Sequence, residues 1–354
     1  MKAALILSTD IETSPYAQYY IDILTTQGIE YDIIGWNKHY PIKYKESNFY
    51  FYDLISLELQ PFYRKLIDCY FYSRFVIKHL KSVHYDYIIV FTIVNAVFLS
   101  TYLKHNFDGK FVFDIRDYSP VLKFFKSRVK FLINHSSINC ISSKGFEAWL
   151  PDGKYTISHN IRSSFLKSLY PIKPFNRNCV KVLSIGGLRD ISESERLLHD
   201  LGNKDTFTLV FSGDGVAKVP LENYAKMNNI SNVLFTGRYN KNDEPMIVYD
   251  SDFINILLPV DINGTSLMSN RFYLSILHHK HMIVNAESYQ AKYVRKYNLG
   301  VVVESGDNVC DKIIEYINLF DAISFNNGCE ECLREVEQEA GLFEISVIHA
   351  LSLL

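Results

Sequence analysis

The chain is short of several things, and each shortage excludes a class. No run reaches 18 apolar residues without a charge, so no membrane-spanning helix is expected. Its 37 Lys and Arg against 39 Asp and Glu leave a net charge of −2, so there is no global pull toward nucleic acid or anionic lipid. Cysteine is sparse and scattered: six residues, with one C-x-x-C at Cys329 and Cys332. A zinc site needs a second pair, which is absent, and the thiols are read as reduced. No G-x-G-x-x-G follows the first strand, which argues against a dinucleotide dehydrogenase. No D-x-D stands on a strand-end loop, so no metal is expected. Internal repeats and low-complexity segments are also missing.

What remains is a 354-residue chain, 48% apolar and 14% aromatic, long enough for two domains that each bury a core. The start, MKAALILSTD, is too short before its first acid for a secretory signal and reads as a buried strand. A loop with Pro15 at a helix entry, a helix from Tyr16 to Gln27 closed by Gly28, and a strand over Tyr31–Gly35 follow. This β-loop-α-β opening predicts a doubly wound parallel sheet. Tyr40 to Asp53 reads as a possible β excursion, 61–84 as a long helix, and 87–91 and 111–115 as strands. Helices are expected over 96–105, 121–133 and 144–150, and short strands over 138–142 and 155–158. Strand ends recur in the second half at Gly186-Gly187-Leu188-Arg189, Gly213-Asp214-Gly215 and Gly237-Arg238.

The stretch after the strand SDFINILL organises the rest. A polar loop, Asp261 to Ser269, is suited to tight turns; it leads into Asn270-Arg271 and a helix over Phe272–His279. First-turn N–H groups lack an intrahelical partner and sit at the positive dipole end, so a strand, a loop and a helix start make an anion site. Arg271 would add charge and a planar fork. Arg189, after two glycines, is placed to do the same.

These stretches, taken in order, resemble glycosyltransferase family 4 of the GT-B fold. Ser269, Asn270, Arg271, Phe272, Ile276, Lys280, Ile283 and Val284 stand where its donor-binding pattern has matching residues. FDIRDYSP, ISSKGFEAWLP, IGGLRD, NVLFTGRY and YNLGVVVESGD resemble further family segments across nearly the whole chain. One departure is serious: the family's ribose-holding acid falls on Leu274. The resemblance implies two doubly wound, Rossmann-like domains facing a central cleft: an acceptor domain (1–165), a linker (166–179), a donor domain (180–328) and a closing helix (329–354) that can cross back to the first domain. It implies transfer of a sugar from a nucleotide diphosphate sugar to a hydroxyl of a lipid-linked cell-surface glycan, with retention, and no cofactor or metal. The donor would be held by Gly186, Gly187, Arg189, Gly237, Arg238, Thr265, Ser266, Asn270 and Arg271. Arg189 and Arg271 would stabilise the leaving diphosphate while Arg116 and Asp117 handle the acceptor. An inactive relative serving as a binding subunit remains the alternative, because of Leu274.

Two stretches bear on membranes. Lys123, Lys126, Arg128 and Lys130 interleave with Phe124, Phe125, Phe131 and Leu132; the helix over 63–81 repeats the pattern with Arg64, Lys65, Arg74, Lys78 and Lys81. Such faces lie on anionic lipid or are ordinary solvated helices. Both fit a cytoplasmic protein peripheral to the inner membrane face; no nucleic-acid module accompanies the bases.

Overall fold

The computed structural model describes residues 1–38, 44–56, 60–161, 170, 172–173 and 175–353. Much of the expected linker (166–179) and the start of the 40–53 excursion lie outside these. The chain divides into two compact units: Met1–His159 with Glu339–Leu354, and Asn160–Gln338. The second unit thus begins ahead of the stretch expected as linker.

The first unit carries β1 (Lys2–Ile6), α1 (Ala17–Thr26), β2 (Glu30–Trp36), β3 (Phe49–Tyr52), α2 (Phe62–Ser82), β4 (Tyr87–Phe91), α3 (Ile93–Phe107), β5 (Phe111–Ile115), α4 (Leu122–His135), β6 (Ile138–Ile141) and β7 (Thr156–Ile157). Its sheet runs β3-β2-β1-β4-β5-β6-β7, all parallel. Pro15 sits two residues ahead of the helix it was expected to open, in a turn where Ala17 N–H donates to Ser14 O at 3.0 Å. Gly28 ends α1 at φ +67°, where only a residue without Cβ turns the chain freely, and Ile29 N–H closes back on Leu24 O at 2.9 Å. The helix expected over 144–150 is only a 3₁₀ turn, Lys144–Ala148, capped by Ser143 Oγ. The helix α4 is kinked at Phe125 (φ −123°, ψ 25°), which breaks the single amphipathic face the sequence implied.

The second unit carries β8 (Val180–Gly187), α5 (Ser192–Leu201), β9 (Phe207–Asp214), α6 (Lys218–Met227), β10 (Val233–Gly237), α7 (Glu244–Tyr249), β11 (Phe253–Ile256), α8 (Ile262–Ser266), α9 (Asn270–Leu277), β12 (His281–Asn285), α10 (Tyr289–Tyr297), β13 (Gly300–Val303), α11 (Val309–Leu319) and the first part of α12 (Ala322–Ser352), whose residues from Glu339 on belong to the first unit. Its sheet runs β10-β9-β8-β11-β12-β13, again parallel. Successive strand residues feed two separate cores. Leu209, Phe253 and Ile283 join Leu197, Leu221 and Ile313 on one face; Val210, Ile254 and Val284 join Phe272, Val294 and Val336 on the other. Both faces are covered, which is why these strands read as unbroken apolar runs. The last helix starts at Ala322, before the expected Cys329, and its final part gives Phe343, Val347 and Leu351 to the first unit's core.

Candidate functional site

In the second sheet the strand order reverses between β8 and β11, and open α/β sheets bind ligands beyond the carboxyl ends at such a switch. The pairing of β8 with β11 is registered only at Val182–Phe253 and Leu183–Ile254. Past that point the gap is bridged by Arg271. Its Nε donates to Ile185 O (2.9 Å), Nη1 to Asn255 O (3.1 Å) and Nη2 to Gly187 O (3.4 Å). The guanidinium expected to face a phosphate is therefore turned back as a staple across the two strands, leaving two of its five N–H groups for anything else. Burial lowers its pKa from the ordinary value, opposed by Asp190 and Tyr239.

The loop before it also differs from expectation. It contains a helical turn, Ile262–Ser266, with Asp261 Oδ1 accepting from Gly264 N–H at 2.7 Å. Thr265 Oγ1 donates to Asp261 O at 2.6 Å and buried Ser266 Oγ to Ile262 O, so both hydroxyls serve the turn. Gly264 is required by close approach: a Cβ there would lie 2.0 Å from Pro259 O. Ser269 Oγ caps the next helix by accepting from Arg271 N–H (3.3 Å), and buried Gln290 Oε1 accepts from Ser269 N–H (3.0 Å). That helix starts at Asn270, two residues before the expected Phe272, with Asn270 exposed on its first turn. Leu274 is half-buried and packs on the core of this face.

Arg189, expected to be an anion ligand, stands at the end of β8. It is exposed past Gly187, with no hydrogen bond or ion pair to the described residues. Gly186 takes φ +97°, and a Cβ on Gly213 would lie 1.8 Å from Gly186 O, so the two strand ends pack backbone on backbone. Beside them, burial pushes the Asp190 carboxyl above its usual range; Arg271 pulls it down, Asp261 pushes it further up, and Arg189 pulls it down. On β10, Gly237 has φ +73° and Arg238 is exposed. Lys218 Nζ reaches to 3.5 Å of where a Gly237 Cβ would stand. Lys218 and Asp190 were not singled out in the sequence, because no local pattern marks either side chain as facing this strand end.

In the first unit Arg116 is buried, 4% exposed, and pairs with fully buried Asp114. It also donates to Ser158 O (3.1 Å) and Ser158 Oγ (2.9 Å), and its guanidinium stacks 5.0 Å from the Tyr16 ring centroid. A group so enclosed holds the loop together; it does not present a fork to an acceptor. Asp117 is exposed.

The apolar residues of α2 and α4 are exposed in numbers: Phe62, Tyr63, Ile67, Tyr70, Phe71 and Phe124, with the Phe62 and Phe124 rings 6.1 Å apart. Lys123, Lys126 and Arg128 are exposed alongside, whereas Lys130 Nζ donates to Asp152 O. Among the described residues no helix is long and apolar enough to cross a membrane, and no group of three or more His, Cys, Asp or Glu could hold a metal ion.

No protein-family model matches the sequence, and no curated protein matches it. Solved structures do match in fold. The sucrose-phosphate synthase from Thermosynechococcus elongatus superposes with TM-score 0.73 at 12% identity, covering 99% of this chain and 100% of that one. HepE from Anabaena, solved with UDP and glucose, gives 0.66 at 13% identity over 99% and 100%. The lipopolysaccharide outer core galactosyltransferase WaaB gives 0.64 at 15% over the whole of both chains. With two parallel doubly wound sheets and these neighbours along its full length, the chain has the GT-B glycosyltransferase fold.

Proposed function

We propose that the protein is a glycosyltransferase that takes a sugar from a nucleotide diphosphate sugar. The observation that carries this is Arg189: a guanidinium with no partner among the described residues, at a switch-point strand end where glycines bring backbone close. Its fork suits a diphosphate, and charge developing on the leaving phosphate is what such a group stabilises. The two spare N–H groups of Arg271 and the first turn of α9 add to it, and Gly237, Arg238 and Lys218 extend the same edge toward the nucleoside. The neighbours include one solved with UDP and glucose, which supports the kind of donor. Metal independence, retention, and closure of the two halves over the donor to exclude water complete the proposal.

The acceptor is proposed to be a hydroxyl of a lipid-linked glycan, with Asp117 orienting it. The α2–α4 surface, with aromatic rings flanked by Lys123, Lys126 and Arg128, suits an anionic lipid face and supports the proposal that the enzyme works at the inner surface of the cell membrane. Leu274 favours a second reading, an inactive binding subunit, since an apolar side chain there cannot accept a ribose hydroxyl. Calorimetry with UDP, GDP, ADP and dTDP, followed by hydrolysis of the matching nucleotide sugars, separates the two. Binding with turnover supports the enzyme, binding without turnover the subunit, and no binding of any of them refutes the donor site.

A further inference from the structure

The loop that leaves β8 is held on both sides of Leu188. Leu188 N–H donates to Asp214 O and Leu188 O accepts from Ala217 N–H, both at 3.0 Å, while Arg271 Nη2 donates to Gly187 O at 3.4 Å. Two residues past Leu188 stands Asp190, half-buried, with Arg189, Arg271 and Asp261 as the charged groups that act on it. Neither arginine pairs with it: Asp190 has no hydrogen bond or ion pair to the described residues. Acids close to it are engaged. Asp261 Oδ1 accepts from Gly264 N–H (2.7 Å), Asp214 Oδ1 from Gly215 N–H (2.9 Å), and Glu193 Oε2 from Asn285 Nδ2 (3.2 Å). A carboxylate that gives up water without gaining a donor carries an uncompensated cost, which a donor on a ligand removes.

An ionised carboxylate accepts hydrogen bonds and donates none. The group that satisfies Asp190 must therefore carry a hydrogen, which the diphosphate itself does not. Flanking a nucleotide diphosphate, the groups that do are the hydroxyls of the ribose and of the transferred sugar. Leu274 offers them no acceptor. We propose that Asp190 is a specificity-determining residue: it accepts hydroxyl hydrogen bonds from the donor while the diphosphate rests on Arg189. This rests on the donor reading above and deepens it. The position has a second consequence. A negative charge beside Arg189 repels phosphate, so a ligand made of phosphate alone is disfavoured and one that brings hydroxyls is kept.

The two effects have opposite signs, and calorimetry on the full chain reads both. The probes are inorganic pyrophosphate, the tightest binder among UDP, GDP and ADP, and the glucose and galactose conjugates of that nucleotide. Asp190→Ala should bind pyrophosphate about two- to fivefold tighter, because a repulsion is gone. It should bind the hydroxyl-bearing ligand about tenfold more weakly. A loss already present with the nucleoside diphosphate assigns the contact to the ribose; a loss seen only with a conjugate assigns it to the transferred sugar. Asp190→Asn, uncharged but with an amide oxygen that still accepts, should tighten pyrophosphate as Ala does and lose less nucleotide affinity; it is read alone if Asp190→Ala fails to fold. Unchanged affinity for the nucleotide and both conjugates, or weaker binding of pyrophosphate, overturns the inference and leaves the donor site standing. A wild-type protein that binds none of the three nucleotides removes the donor reading, and this inference with it.

Discussion

Replacing Arg271 by Ala should destabilise the second unit far more than a surface arginine would. Two of its contacts, at 2.9 and 3.1 Å, are good charge-assisted hydrogen bonds; the third, at 3.4 Å, is weak. At about 1.5 kcal/mol each for hydrogen bonds to a charged group, the loss is about 3 kcal/mol. For a unit of this size, each kcal/mol moves the melting temperature by about 2–4 °C, so a fall of about 6–12 °C is expected. Arg271→Lys should recover only a small part, because one ammonium cannot reach carbonyls on both β8 and β11. Scanning calorimetry of the two variants beside Arg189→Ala makes the comparison. Arg189→Ala should leave the melting temperature within about 1 °C, as surface substitutions do. An Arg271→Ala protein that melts within about 2 °C of wild type would refute the staple.

Arg189→Ala should instead weaken nucleoside diphosphate binding tenfold to a hundredfold, about 1.5–3 kcal/mol for a bidentate contact, by calorimetry. Unchanged affinity would remove the donor site from this strand end. Removing Lys123, Lys126 and Arg128 should cost about 1 kcal/mol each in binding to anionic vesicles at low salt, and a wild-type protein that ignores such vesicles ends the membrane proposal. Turnover of a donor sugar, once found, should survive chelator; loss restored by magnesium or manganese would overturn metal independence. Acid should destabilise the second unit. Burial first, with Lys280 adding to it, lowers His278 to about 4 and His281 to about 3. Both stay neutral in the folded state while the unfolded chain takes up protons, so stability falls as pH drops from about 6.5 toward 4. His281→Phe, set among Phe175, Phe253, Phe320 and Phe325, should flatten that limb in melting curves taken against pH.

Strand and helix periodicity carried the architecture. Tyr87–Phe91 and Phe111–Ile115 are bounded as the apolar runs imply, because strands covered on both faces can hold little else. The glycine-marked strand ends were also legible as turns: Gly186 takes φ +97°, and Gly213 lies against the Gly186 carbonyl where a Cβ would clash. Local pattern could not tell where long side chains would point. Arg271 and Arg116 both looked like charges at a ligand edge, and only tertiary structure gave them partners: the carbonyls of two diverging strands for one, Asp114 and Ser158 for the other. The same holds for His159, whose partner lies 180 residues away. An arginine has a long side chain and five donors, and what it finds is fixed by which strands the topology sets beside it, a fact that no stretch of contiguous sequence contains.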